Sequence, residues 1–216
     1  MPLHRGYFGL QCFWGESAWA KGSIVKINFN FQLKGVRITR VGYAGGTTNE
    51  PTYKKIGDHT EITEVQYDPK LISYRQLLEF FWSHHNPLER RTKQYQSAII
   101  YENMDQKAEA MKSLDEAKKK FGNVETYIVP LDIFYQAEDY HQKYWLRNKK
   151  EILDQLSVTD GDIAQGVLCT KLNAYAAGYT DFEELELLAK DYELSPSLVQ
   201  TIKEYALSGG DPRNCH

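Results

Sequence analysis

The stretch Tyr7-Phe8-Gly9-Leu10-Gln11-Cys12-Phe13-Trp14-Gly15-Glu16-Ser17 changes character in its middle, and that change sets the fold class. Residues 7–12 read as a short strand, whereas from Phe13 to Ser17 the pattern turns helical. Cys12 therefore falls at a strand-to-helix junction. Unpaired amide donors and the positive end of the helix dipole stabilise a thiolate there, so the thiol can be nucleophilic near neutral pH. The competing reading of the same residue is a small buried hydrophobe.

Outward from this junction, strands and helices alternate. Val36–Tyr43 reads as a strand with Val36, Ile38 and Arg40 on one face, ending at the turn signal Gly45-Gly46. Residues 61–67 form another, closed by Asp68-Pro69. Ser73 and Gln76 make a capping box ahead of a helix whose Leu77, Leu78, Phe80 and Phe81 face the core, and that helix stops before Asn86-Pro87. A strand over 96–101 precedes a helix capped by Asn103 and Gln106, with Ala108, Met111, Leu114 and Phe121 along its apolar stripe. A strand over 126–129 follows. This alternation predicts a two-layer α/β sandwich with a mixed sheet, a ferredoxin-like plait, carrying a helical C-terminal extension.

The chain has 216 residues, enough for a core without disulfides or metals. Residues 151–216 hold 12 acids against four bases, whereas the preceding part is net positive, and beyond 150 the pattern is helix alone. The expected organisation is thus a catalytic α/β domain over 1–150 and an acidic helical extension over 151–216 with a loose Cys-containing tail. Within the extension, Thr180 with Glu183 reads as a capping box, and Ser195-Pro196 as an N-cap followed by proline at the first helical position. No run of apolar residues suits a membrane span and the first residues lack a signal pattern, so a cytoplasmic chain without membrane or nucleic-acid partners is expected. Three cysteines, Cys12, Cys169 and Cys215, are too few and too odd in number for a secreted disulfide framework. No His-Glu-x-x-His or paired Cys-x-x-Cys spacing supports a metal site.

Further segments share one pattern: Gly42-Tyr-Ala-Gly-Gly46, Pro51-Thr-Tyr53, Asp58-His-Thr-Glu61, Lys93-Gln-Tyr95 and Ala137-Glu-Asp-Tyr-His-Gln-Lys-Tyr144. With Gln11-Cys-Phe-Trp-Gly15 they resemble peptide methionine sulfoxide reductase A from about residue 7 to about 147. The resemblance implies a thiol-dependent reductase of methionine S-sulfoxide, peptide-bound or free. It implies Cys12 as nucleophile, Glu61 as the acid that protonates the sulfoxide oxygen, Phe13 and Trp14 as the wall for the substrate methyl group, and Tyr53 and Tyr95 as hydroxyls on that oxygen. The chemistry suits these residue types. A sulfoxide sulfur becomes electrophilic once its oxygen is protonated, and a carboxyl desolvated among rings is a suitable acid. Taken singly, Glu61 would be a solvated edge charge and the tyrosines half-buried scaffold.

The resemblance further implies no bound cofactor, oxidised proteins or peptides containing methionine sulfoxide as substrates, and thioredoxin as external reductant, with dithiothreitol serving in vitro. A monomer is expected. Cys215, after Gly209-Gly210 and Asp211-Pro212, suits a resolving thiol, while Cys169 in Val-Leu-Cys-Thr-Lys-Leu suits inert packing. Several positions depart from the family pattern. Gln11 stands where glycine is usual, residues 20–32 add length, and Asn86–Thr92 has no counterpart of the aspartate that assists substrate binding. Two other function classes fit parts of the sequence: a catalytically silent methionine-sulfoxide binding module, and a Cys-His acyl-transfer hydrolase using His141. In the reductase reading, His141 is expected to satisfy backbone or carboxylate partners.

Overall fold

The computed structural model describes residues 2–10, 12–21 and 35–208. Its first half runs β1 (His4–Gly9), α1 (Glu16–Lys21), β2 (Val36–Ala44), β3 (Thr60–Tyr67), α2 (Tyr74–Ser83), β4 (Ala98–Tyr101), α3 (Met104–Phe121), β5 (Tyr127–Pro130) and β6 (Tyr135–Gln136). The sheet order is β5-β4-β1-β3-β2-β6, with β4 and β5 parallel and the other neighbours antiparallel. Its inner four strands, β4-β1-β3-β2, with α1 and α2 as crossovers, make a ferredoxin-like plait within a mixed sheet.

Strand alternation sends neighbouring side chains to opposite faces, and both faces are covered. Phe8 enters the core beneath α2 and α3 with Trp19, Leu77, Leu78, Phe81 and Ile99. Tyr7 enters the opposite layer with Ala44, Ile62 and Ile100. Phe8 is fully buried, its ring 4.7 Å from Trp19 and 5.7 Å from Phe81. Truncating it to alanine would cost about 3–5 kcal/mol.

Local signals explain the helix ends. Ser73 Oγ accepts from Gln76 N while Gln76 Oε1 accepts from Ser73 N, the capping box expected for α2. Asn103 caps α3, which ends where Gly122 takes φ +94° behind three lysines that complement the negative end of the helix dipole.

Three details differ from the sequence reading. In α3 the buried stripe is Gln106, Ala110, Ser113, Leu114 and Ala117, with Ala108 and Met111 exposed. The helix is turned by polar anchors: Gln106 Nε2 donates to Arg5 O at 2.7 Å, and Trp82 Nε1 donates to Ser113 Oγ at 3.1 Å. In β2 an irregularity between Val36 and Ile38 shifts the pairing and breaks the Val36, Ile38, Arg40 alternation. The helix expected after Thr180 is capped one residue later, by Asp181, whose carboxylate accepts from Glu184 N at 3.3 Å.

The chain continues through α4 (Tyr144–Arg147), α5 (Lys150–Leu153), α6 (Asp160–Gln165), α7 (Val167–Ala176), α8 (Phe182–Asp191) and α9 (Pro196–Ser208). These helices share a second core of Leu146, Ile152, Leu172, Tyr175, Leu185 and Ile202. Helix α7 lies at its centre, buried on every side from Cys169 to Ala176, and packs against α1, α4, α9 and β2. Among the described residues no helix is long and apolar enough to cross a membrane.

Candidate active site

The pairing register gathers the chemistry-bearing residues at one end of the sheet. In β1 and β3, Phe8 faces Thr63, so two residues farther along each antiparallel strand Leu10 approaches Glu61, with Cys12 just beyond. In β1 and β4, Gly9 faces Ala98, so the residues preceding β4 return beside those following β1. Tyr43 of β2 faces Glu61 directly, and the loop carrying Tyr53 leaves from this same end.

Cys12 is half-buried in extended backbone at φ −164° and ψ 146°, as the N-cap of a short 3-10 turn over Phe13–Gly15 that runs into α1. The strand-to-helix junction expected there is present. Cys12 is disulfide-bonded, whereas Cys169 is a free, buried thiol whose pKa is raised by burial. Cys215 lies outside the described residues, as do Gln11, residues 22–32 of the added length, and Gly209-Gly210. The backbone of Trp14 belongs to the 3-10 turn, and its side chain also lies outside the description.

Glu61 is 4% exposed. Its Oε2 accepts from Phe13 N at 3.1 Å and its Oε1 from Gln94 Nε2 at 2.8 Å. Both donors are neutral. Burial disfavours the charged form and pushes the carboxyl up to about 7, although the two hydrogen bonds act in the opposite direction. A carboxyl so placed holds a transferable proton near neutral pH.

Tyr53 and Tyr95 meet hydroxyl to hydroxyl at 3.2 Å. Burial, the bond to Tyr53 and the charge of Glu61 all keep the Tyr95 phenol protonated. Glu138 anchors Tyr53, its Oε1 accepting from Tyr53 N at 3.0 Å and its Oε2 from Tyr43 Oη at 2.6 Å. Phe13 is buried, with its ring 4.9 Å from His141 and 5.4 Å from Tyr43, while His141 lies 4.7 Å from Tyr53. Cys12, Phe13, Glu61, Tyr53 and Tyr95 are thus connected through short contacts, although they come from four separate segments.

His141 departs from expectation. It packs among Phe13, Tyr53 and Tyr140, and its buried Nε2 has no hydrogen-bond partner among the described residues. Burial lowers its pKa, which favours the neutral ring. His59 has an architectural place instead. Its Nδ1 accepts from Gly46 N at 3.2 Å and its Nε2 donates to Thr48 O at 2.7 Å, while Asp58 accepts from the backbone and hydroxyls of Thr47 and Thr48. Gly45, at φ +78°, supplies the turn that allows this loop. Residues 86–92 are exposed apart from buried Pro87; Asn86 Oδ1 accepts from Leu88 N, and Arg91 pairs with Glu89 at 2.8 Å.

Gln94 and Glu138 were not singled out by sequence reasoning. Each lies inside a recognised segment, but an amide or acid there carries no local signal of its non-local partner. The described residues contain no cluster of His, Cys, Asp and Glu suited to a metal ion.

The fold and site place a cysteine beside a neutral-capable acid and two phenol donors at one end of a ferredoxin-like plait. The family model of peptide methionine sulfoxide reductase matches residues 4–164. A peptide methionine sulfoxide reductase of Drosophila melanogaster is 37% identical over 198 residues, covering 88% of this chain and 75% of that protein. One from Methanosarcina acetivorans is 40% identical over 168 residues, covering 71% and 82%. Among solved structures, methionine sulfoxide reductase A of Corynebacterium diphtheriae superposes with a TM-score of 0.58 at 30% identity, over 68% of this chain and 76% of that one. Reduced Mxr1 of Saccharomyces cerevisiae gives 0.59 at 27%, over 68% and 86%. The chain belongs to the peptide methionine sulfoxide reductase family.

Proposed function

We propose that the chain reduces the S epimer of methionine sulfoxide in peptides and oxidised proteins, with Cys12 as nucleophile and Glu61 as acid. The observation that carries this reading is the Glu61 carboxyl, buried and bonded to the neutral donors Gln94 and the backbone N–H of Phe13, the residue that follows Cys12, with the Tyr53–Tyr95 hydroxyl pair at the same end of the sheet. The methyl group of the substrate rests against Phe13 and Trp14, and the sulfoxide oxygen faces Glu61, Tyr53 and Tyr95. Cys12 sulfur attacks the sulfoxide sulfur as Glu61 protonates the oxygen. The oxygen passes to Cys12, giving a sulfenic acid and free thioether, so the substrate sulfur gains the two electrons that Cys12 loses. A second thiol then condenses with the sulfenic acid, expelling water and forming a disulfide.

Cys215 is proposed as that second thiol. Cys169 suits the role poorly, being free and packed in the second core while Cys12 is bonded. Thioredoxin, or dithiothreitol in vitro, supplies the dithiol that closes the cycle. Residues 151–216 are read as an appendage to the catalytic α/β domain.

The test is a single turnover of the reduced protein with resolved S and R sulfoxide peptides, followed by mass spectrometry of Cys12. Consumption of the S epimer alone, with Cys12 recovered as sulfenic acid or disulfide, is expected. Equal turnover of both epimers would refute the epimer assignment. An acyl adduct, or an unchanged thiol, would favour a hydrolase or a silent binding module.

A further inference from the structure

Glu16 follows the Cys12–Gly15 segment directly and opens α1, yet its side chain is 2% exposed. Its Oε1 accepts from Thr39 Oγ1 at 2.6 Å and from Lys143 Nζ at 2.8 Å, and its Oε2 accepts from Lys143 N at 3.1 Å. Lys143 is fully buried and adopts the left-handed region at φ +54°, uncommon for a residue other than glycine. Its ammonium also donates to Thr39 O at 2.6 Å and to Ala164 O at 3.0 Å, so all three donors are used. One ammonium therefore joins the segment after Cys12, the middle of β2, and the C-terminal end of α6.

We infer that Lys143 and Glu16 are positioning residues through which the helices beyond residue 150 hold the Cys12–Gly15 turn against Glu61. This inference rests on the proposed roles of Cys12 and Glu61. The connection is short in sequence. Phe13 donates its backbone N–H to Glu61 and Glu16 is three residues on, the two spanned by a single 3-10 turn with about 2 Å rise per residue. A carboxylate gripped at both oxygens fixes the far end of that turn, so the near end keeps its bond to the acid. Helix α7 reinforces the arrangement by packing on α1, and Thr170 Oγ1 accepts from Thr39 N at 3.3 Å, on the same β2 residue that touches both charges.

Lys143→Met alone would strand a buried carboxylate and unfold the chain. The informative variant is therefore the pair Glu16→Gln/Lys143→Met, which keeps shape and removes both charges. Its control is Lys171→Met/Glu184→Gln, which removes the extension's own ion pair, 3.0 Å long, without touching the Cys12 segment. Two readouts are taken at matched melting temperature: the single-turnover rate of Cys12 oxidation by a sulfoxide peptide, and hydrogen exchange of the Phe13 amide. The first pair should slow oxidation about 10- to 100-fold, the range for a small misplacement of reacting groups, and accelerate Phe13 exchange, while the control changes neither. A wild-type rate and wild-type Phe13 protection in the first pair, or equal changes in the control, would overturn the inference. If the wild-type protein fails to oxidise Cys12 with any sulfoxide, the proposed function falls, and Phe13 exchange still decides the positioning role.

Discussion

Glu61 and Glu64 stand three residues apart on β3, and both are buried, at 4% and 1% exposure. Their surroundings differ in one respect that reverses their chemistry. Around Glu64, burial pushes the carboxyl up, but the guanidinium of Arg40 at 2.9 and 2.7 Å and the amide of Gln66 at 2.6 Å outweigh it, and the group is held below the usual range. Around Glu61 the donors are the neutral N–H groups of Phe13 and Gln94, and burial prevails. Burial does not by itself keep a carboxyl protonated near neutral pH; burial without a countercharge does. The sheet is thus rigidly paired in its middle and left titratable at the end where Cys12 lies.

Substituting each glutamate in turn would break this comparison if it is wrong. Glu61→Gln should slow single-turnover oxidation of Cys12 by about 10²–10⁴-fold, the range for a positioned general acid. Glu64→Gln should leave that rate close to wild type and instead cost about 1–3 kcal/mol in denaturant unfolding at neutral pH, because Arg40 loses its charged partner. A large rate loss in the second variant, or none in the first, would show that the two carboxylates have been assigned the wrong way round.

The pH dependence of stability sharpens the contrast, because the two shifts have opposite signs. Glu61 binds its proton more tightly in the folded than in the unfolded chain, so its contribution falls as pH rises from the ordinary carboxylate value, 4.5, through about 7. Glu64 contributes stability above its ordinary value and loses it as pH falls through its lowered folded value. In unfolding titrations against wild type, Glu61→Gln should therefore gain relative stability above pH 7, and the deficit of Glu64→Gln should shrink toward acid. The smallest expected effect belongs to Gln94→Met. The alkaline limb of the single-turnover rate is expected near 7 in wild type, and removing an amide that favours the charged carboxylate should move it upward by up to about one pH unit. An unmoved limb would mean that Gln94 does not tune the acid.

Much of the architecture was legible locally. The capping residues of α2 and α3, the strand-to-helix junction at Cys12 and the apolar runs of β1 and β4 each depend on residues within a few positions of one another. The α3 stripe was misread because Gln106 and Ser113, polar in sequence, turn inward to partners at Arg5 and Trp82. Asp181 displaced Thr180 as a cap because a carboxylate was available one position later.

The sequence by itself determined the alternation of strands and helices, the family to which the chain belongs, and the residue types available for thiol and acid chemistry. Only the tertiary structure decided that Glu61 is buried beside Phe13, 48 residues away, with Gln94, 33 residues away, as its second donor. It likewise decided that Lys143 reaches Glu16 across 127 residues through its own backbone N–H. Helix and strand periodicity, caps and turns are set by neighbours in the chain. The solvation of a carboxyl and the charge beside it are set by whatever the sheet order brings to its face.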